Sequence, residues 1–69
     1  MIELGEYRAN KTLRIKLGFQ KFTITKGEKI KVCSYDRVHK KIMIKLSLIG
    51  PDWISEKLLV DFTRIHNDN

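Results

Sequence analysis

Apolar and polar residues alternate along much of the chain with a period of two, a pattern typical of β-strands that bury one face. Three segments show the alternation clearly, at residues 12–19, 29–35 and 41–49, and Phe22 and Ile24 continue a short extended segment after the first. The predicted inward-facing residues of the three strands are Leu13, Ile15, Leu17, Phe19, Ile30, Val32, Ile42, Ile44, Leu46 and Leu48. The pattern therefore predicts a sheet with one buried face.

Glycine and proline mark the predicted connections between these strands. A turn is expected at residues 25–28, where Gly27 supplies a permissive backbone position, and residues 36–39 form the next connection. The Gly-Pro-Asp sequence at residues 50–52 predicts the end of the third strand, because proline cannot donate a hydrogen bond to a ladder.

The last third of the chain is less regular. Residues 53–54 could form a short strand, and residues 55–59 have the composition of one helical turn with Ser55 as its cap. So short a helix is marginal in isolation, and a 3₁₀ turn that leads into a last strand at residues 60–65 fits equally well. Residues 66–69 are expected to form a frayed tail.

These elements predict an all-β domain at residues 1–65, built as a small barrel of four to five antiparallel strands with one short 3₁₀ or helical turn near residues 55–59. Closing the strands into a barrel buries the apolar face and removes exposed sheet edges. The alternative is an α+β fold in which one short C-terminal helix covers the apolar face of an antiparallel sheet.

Length and cysteine usage restrict the class of protein. A chain of 69 residues allows one domain, which buries only about 60% of its unfolded surface. Cys33 is the only cysteine, so an intrachain disulfide is excluded and a reducing compartment is indicated. The first residues lack the features of a signal peptide, and the longest uncharged stretch, residues 46–51, is too short for a membrane span. We expect a cytoplasmic protein with no membrane partner.

No group of residues has the spacing of a catalytic or metal site. His39 and His66 fall in a predicted turn and tail, and Cys33 has neither a second cysteine nor any nearby base other than His39. The carboxylates are dispersed, and the glycines form no phosphate-binding loop. We therefore expect a binding module rather than an enzyme, with no cofactor and no metal.

The net charge of +6 is unevenly distributed along the chain. Residues 8–45 contain twelve basic side chains against two acidic ones, whereas the flanking segments, residues 1–7 and 46–69, are each net acidic. Such an asymmetry indicates a polyanionic partner, although lysine-rich surfaces also keep small proteins soluble.

The register of the hairpin between the second and third long strands determines where the lysines lie. Directly opposed residues of an antiparallel pair point to the same face, so Ile30 and Val32 must oppose even-numbered apolar residues. This parity requires a connecting loop with an odd number of residues. A three-residue loop at residues 37–39 would place Lys31 directly opposite Lys45.

The other short loop also opposes two lysines. A loop at residues 36–38 would pair Lys29 with Lys45, and only a five-residue loop avoids such a pair. Directly opposed like charges destabilise a sheet by a few tenths to roughly 1 kcal/mol. The outer face of this hairpin is therefore expected to concentrate positive charge without an acid, and Arg14 and Lys16 would extend it if the first strand lies alongside.

Basic residues with an aromatic side chain among them are a common arrangement for holding nucleic acid, by charge at the phosphates and by stacking at the bases. The candidate nucleic-acid-binding residues are Arg14, Lys16, Lys29, Lys31, Tyr35, Lys41 and Lys45, with Tyr35 as the stacking candidate. Met43 and Trp53 are candidates for a protein interface, although a lone tryptophan is more often a core anchor. Phe62 and Ile65 are expected in the core.

A family resemblance is carried by the runs FTITKGEKIKVCSYD, IMIKL and WISEKLLVDFTRI. They resemble the small SH3-like barrels, many of which are encoded by bacteriophages and bacterial mobile elements. Residues 24–27 resemble the family's first turn, Trp53 the aromatic that follows a tight turn, and residues 55–59 its 3₁₀ turn. The likeness covers residues 19–65.

The resemblance implies a small SH3-like barrel that acts as an adaptor in the host bacterial cytoplasm. Proteins of this fold bind either nucleic acids or proteins, and the fold does not decide between them. Salt-sensitive nucleic-acid binding is the leading hypothesis. The alternatives are a phage-type inhibitor or modulator that docks on an acidic surface of a host protein, and a structural homodimer that buries Trp53.

Overall fold

The computed structural model describes residues 2–46 and 49–66 of the chain. Its elements in chain order are β1 (Gly5–Ala9), β2 (Leu13–Leu17), β3 (Gln20–Ile24), β4 (Lys29–Asp36), β5 (Lys41–Leu46), β6 (Ile49–Ser55), a 3₁₀ helix (Glu56–Asp61) and β7 (Phe62–Arg64). Strands β6-β5-β4-β1-β7 form an antiparallel five-stranded sheet, and β2 and β3 form a separate antiparallel hairpin.

The predicted all-β class is confirmed, with more strands than the four to five expected. The predicted turn near residues 55–59 is the 3₁₀ helix, in which the Ser55 hydroxyl accepts a hydrogen bond from the Lys57 backbone N–H at 3.3 Å. Within residues 2–46 and 49–66 the helix of the α+β alternative is not present. Membership in the SH3-like barrels stays a prediction.

The core lies between the five-stranded sheet and the β2–β3 hairpin, and both contribute to it. Its buried residues are Tyr7, Ala9, Ile15, Leu17, Ile24, Ile30, Val32, Ile42, Ile44 and Phe62. Most of the predicted inward positions are therefore confirmed. Leu48 and residues 67–69 of the predicted tail lie outside the described residues.

The first long strand is shorter than the predicted segment, residues 12–19. It stops at Leu17, where Gly18 and Phe19 form a two-residue turn of the kind that favours glycine, and β3 returns from Gln20. Phe19 therefore does not reach the core, and its side chain is fully exposed at the tip of the hairpin. The alternation continued through the turn, so periodicity alone could not reveal it.

Two further strands differ from the prediction. Pro51 does not end a strand but lies within β6, where it is tolerated because β6 is at the edge of the sheet. The first residues of the chain, which carried no strand prediction, form β1 between β4 and β7. Strand β1 buries Tyr7 and Ala9, and the Tyr7 hydroxyl donates to the Glu3 carbonyl oxygen at 2.6 Å.

The β4–β5 hairpin reaches the predicted lysine pairing by a different route. Lys31 opposes Lys45 and Val32 opposes Ile44, as the parity argument requires. The loop, however, has an even length, residues 37–40, and a β-bulge between Val32 and Ser34 compensates for it. The predicted pairing of Lys31 with Lys45 is thus confirmed, whereas the prediction of a loop with an odd number of residues is wrong.

Candidate functional site

The outward side of the five-stranded sheet carries a row of cations that we call the lysine face. It consists of Arg8 on β1, Lys29 and Lys31 on β4, and Lys41 and Lys45 on β5, and all five are exposed. Their strands place them together, because each alternates with buried residues that face the core. Four of the predicted binding residues therefore share one surface, and Arg8 joins them.

The lysine face holds two acids, so the expectation of an acid-free face is wrong. Glu6 opposes Lys31 from β1, and Asp36 opposes Lys41 at the end of β4. Within the described part of the chain, no cation of the lysine face lies within ion-pair distance of a carboxylate. The charges of the lysines are therefore available to an external anion.

A cavity of about 270 Å³ opens on this surface beside Lys31 and Lys45. It is lined by Glu6, Lys29, Ile30, Lys31, Lys45 and Leu46. Three lysines on two adjacent strands thus border one concavity, with apolar side chains beside them. Such a site fits a group that carries several negatively charged oxygens, because each ammonium group offers three donors.

An aromatic side chain lies on the same surface, at a position that was predicted differently. Trp53 on β6 opposes Met43 on β5, which in turn opposes Ser34 on β4, so all three point outward. Trp53 is 41% exposed, which makes the expectation of a core anchor wrong. The structure thus brings both predicted interface residues into one apolar pair on the lysine face, with Trp53 exposed and Met43 partly buried.

Tyr35, the predicted stacking residue, is not on this surface. The bulge turns it to the side of Ile42, where its ring packs against the core. Its hydroxyl donates to Glu56 Oε2 at 3.1 Å, and burial together with this hydrogen bond raises the pKa of Tyr35 above its usual value. Tyr35 therefore ties β4 to the 3₁₀ helix, and Trp53 is the aromatic residue among the lysines.

Arg14 and Lys16 are also separated from the lysine face. They lie on β2, which pairs with β3 and not with the five-stranded sheet. Because the core lies between the two sheets, outward side chains of β2 and of the five-stranded sheet point in opposite directions. The predicted extension of the lysine face by these two residues is therefore wrong.

The turn at residues 37–40 is organised by one carboxylate. Asp36 Oδ1 accepts hydrogen bonds from the backbone N–H groups of Val38 at 3.0 Å and His39 at 3.1 Å, and Oδ2 lies 2.7 Å from His39 Nδ1. The backbone N–H and then the imidazole of His39 hold the pKa of Asp36 below its usual value. The Asp36 carboxylate is thus engaged by the turn and not by Lys41.

The hydrogen bonds to the Asp36 carboxylate predict that the stability of the fold depends on pH in the acid range. Because the pKa of Asp36 is lower in the folded state, its contribution is complete above the unfolded pKa of about 3.9 and is lost as the pH falls through the folded pKa. The difference in Tm between the parent and Asp36→Asn should be constant near neutrality and shrink in strong acid. Carbon-detected NMR should place the pKa of Asp36 in the folded protein below that in the unfolded chain; an equal or higher pKa in the folded protein would contradict the assignment.

The described residues offer few other groups suited to metal binding or catalysis. No group of three or more histidine, cysteine, aspartate and glutamate residues with metal-binding geometry occurs in residues 2–46 and 49–66. Cys33 is the extra residue of the bulge, and its Sγ lies 3.8 Å from the Lys31 carbonyl oxygen. The sequence analysis missed Arg8 and Glu6, whose only signal was the short alternation in β1.

Two further observations complete the description. In the described segments, no helix has the length and hydrophobicity that crossing a bilayer requires. Comparison of the chain with protein-family models, with curated proteins and with solved structures found no significant match.

Proposed function

We propose that the protein binds single-stranded nucleic acid across the lysine face, with Trp53 as the stacking residue. One observation carries the proposal: the Met43–Trp53 pair lies between the row of Lys31 and Lys45 and the row that contains Lys41. Nonspecific single-strand sites combine these parts, a basic surface that follows the backbone and an aromatic ring that stacks on a base. A duplex offers no unpaired base face to the ring, which favours a single strand.

The energetics of the lysine pair support this proposal. Lys31 directly opposes Lys45, and like charges so placed cost the folded sheet a few tenths to roughly 1 kcal/mol. Glu6 opposes Lys31 from β1 and offsets part of this repulsion, but neither lysine lies within ion-pair distance of a carboxylate in the described part of the chain. A bound phosphate removes the cost, because it lies between both ammonium groups. The repulsion in the free protein thus becomes attraction in the complex.

A second candidate is supported by the apolar Met43–Trp53 pair, in which Trp53 is exposed. Apolar surface of this kind, surrounded by charges, also suits a protein partner with an acidic surface and one apolar anchor. The two candidates differ in what is bound, since the protein partner requires no nucleic acid. If the ligand is a protein, affinity capture after nuclease treatment should recover one stoichiometric partner. If the ligand is nucleic acid, it should recover none.

A salt series tests the proposal directly. Anisotropy of labelled oligo-dT, of an RNA of equal length and of a DNA duplex is measured as sodium chloride is raised. With three or four phosphate contacts, log Kd for the single strands should rise with log salt with a slope of about 2 to 3. The duplex should bind more weakly than either single strand. No anisotropy change at low salt would overturn the proposal.

The single tryptophan of the chain provides an independent readout of stacking. Intrinsic fluorescence should be quenched as oligo-dT is added, with the same midpoint as the anisotropy. Trp53→Ala should lower the affinity by roughly 5- to 100-fold, which corresponds to about 1–3 kcal/mol for one stacked base. Binding without a change in fluorescence would exclude Trp53 from the interface.

A further inference from the structure

The β2–β3 hairpin repeats the construction of the lysine face on the other side of the molecule. Lys16 directly opposes Lys21, and both are exposed on the outward side of the hairpin, with Arg14 one position further along that side. We call these three residues the hairpin face. Phe19 is fully exposed at the adjoining tip. A directly opposed lysine pair beside an exposed aromatic ring therefore occurs twice in this small fold.

The hairpin face contains no negative charge. The sequence has no acidic residue from residue 7 to residue 27, a segment that includes both strands and the turn between them. In the described part of the chain, no cation of the hairpin face lies within ion-pair distance of a carboxylate. Phe19 meanwhile contributes nothing to the core, so its exposure has no explanation in folding. The basic side chains fit the phosphate backbone of a single strand, and the Phe19 ring fits an unstacked base.

We infer that the hairpin face is a second nucleic-acid site, and that the protein bridges two strands. The inference rests on the proposed function, because bridging needs the lysine face as the first site. The two faces point away from each other across the core, so one strand cannot lie on both without wrapping around the molecule. Two separate segments, or two distant parts of one strand, occupy them instead.

Simultaneous occupancy is electrostatically feasible. The smallest principal extent of the chain is 20 Å, whereas the Debye length at physiological ionic strength is about 8 Å. Two phosphate backbones on opposite faces are therefore separated by more than twice the screening length. Their mutual repulsion is small, and each strand gains the attraction of its own lysine pair.

A two-strand capture experiment tests the inference with the intact protein. Biotinylated oligo-dT on beads is mixed with the protein and with free fluorescent oligo-dT, which cannot pair with it. The fluorescent strand should be retained on the beads only when protein is present. A large excess of protein should reduce retention, because each strand then saturates with its own copies.

Charge-reversed variants separate the possible outcomes. Lys16→Glu/Lys21→Glu should quench Trp53 with oligo-dT at a midpoint within about threefold of the parent, because the lysine face is intact, but should lose at least tenfold in retention; Phe19→Ala should lose about tenfold in retention. Lys57→Glu, an exposed residue of the 3₁₀ helix, is the control and should retain the strand normally. Unchanged retention by the double variant would overturn the inference and assign bridging to a dimer.

The remaining outcomes distinguish the two proposals. A parent protein that binds one oligo-dT but retains no second strand would overturn the bridging and leave the proposed function intact. Binding that depends on Lys16 and Lys21 but not on Lys31 and Lys45 would instead contradict the proposed function of the lysine face. Absence of all oligonucleotide binding would overturn both.

Discussion

Replacing Lys31 and Lys45 together with glutamate is expected to weaken the binding of oligo-dT to the lysine face, read at low salt from the quenching of Trp53, by about 100-fold or more. The two lysines oppose each other and line the same cavity, so both reach the same stretch of backbone. Each charge-assisted contact contributes about 1.5 kcal/mol or more, and two of them amount to roughly two orders of magnitude. The repulsion from the new carboxylates adds to the loss.

The substitutions also make a prediction about stability that runs in the opposite direction. Lys45→Glu alone converts a repulsive cross-strand pair into an attractive one, which should stabilise the fold by a few tenths to about 1 kcal/mol. For a domain of this size the Tm should rise by up to about 4–8 °C. A variant that is more stable and binds more weakly would show that the parent sequence retains the lysine pair for its ligand.

Two further variants keep the test of the lysine face interpretable. The double glutamate change also places a carboxylate opposite Glu6, so Lys31→Gln/Lys45→Gln is included as a neutral version that avoids this repulsion. It should melt at or above the parent temperature and still bind at least about tenfold more weakly. Lys57→Glu carries the same charge change away from the face and should bind nearly normally. Equal affinity of the parent and both double variants would remove the lysine face as the site.

The core and the lysine pair could be predicted from the sequence because both depend on parity. Alternation assigned Ile42 and Ile44 to the core, and once Val32 had to share their face, either three-residue loop placed Lys45 opposite a lysine, Lys31 in one register and Lys29 in the other. The loop is longer than either, but the bulge restores the register that burial of Val32 demands. Burial of the apolar face, rather than the geometry of the turn, therefore fixes the register here.

The positions that alternation assigned incorrectly all follow a break in the regular strand. The bulge at Cys33 moved Tyr35 from the outer face to the core side, and the turn at Gly18 left Phe19 exposed. A single extra residue reverses the facing of every later residue, and nothing in the local composition reports it. The exposure of Trp53 was not predicted because residues 50–52 were assigned to the end of the preceding strand and residues 53–54 to a separate short strand, whereas all of them lie in β6.

The assembly of the site could not be read from the sequence because it depends on strand order. Strand β1 occupies the place beside β4 that was considered for β2. This exchange brings Arg8 and Glu6 to the lysine face and sends Arg14 and Lys16 to the opposite side. Both strands show the required alternation, so only tertiary packing decides which of them joins the sheet.

The largest expected loss of stability comes from Gly5→Ala, which should destabilise the fold by about 2–4 kcal/mol. Gly5 has a φ of +126°, a region that side chains strongly disfavour, and a Cβ there would lie 3.0 Å from Arg64 Nη2 and 3.2 Å from Arg64 Cζ. A domain of this size has only roughly 3–10 kcal/mol of stability in total. The Tm should therefore fall by about 10–25 °C.

Arg64 cannot withdraw from the new methyl group without cost. Its Nη1 donates to the Ile65 carbonyl oxygen at 2.6 Å, and its Nε lies 3.3 Å from Glu3 Oε2 in an ion pair that lacks hydrogen-bond geometry. Moving the guanidinium would break both contacts. The loss of unfolding free energy caused by Gly5→Ala should therefore exceed the loss expected from backbone strain alone.

A graded series of alanine variants, measured by urea denaturation, separates the two causes. Gly50→Ala meets no atom within 4 Å at an ordinary φ and should change the free energy of unfolding by less than about 0.5 kcal/mol. Gly27→Ala has open space but a φ of +92°, so its loss of unfolding free energy, about 1–2 kcal/mol, reports backbone strain alone.

Gly5→Ala should cost more than Gly27→Ala. In the Arg64→Ala background, where the clash is absent, its cost should fall to that of Gly27→Ala. Equal costs for Gly5→Ala and Gly27→Ala in the parent would mean that the guanidinium moves freely, and that the contact across Gly5 does not fix the end of β1.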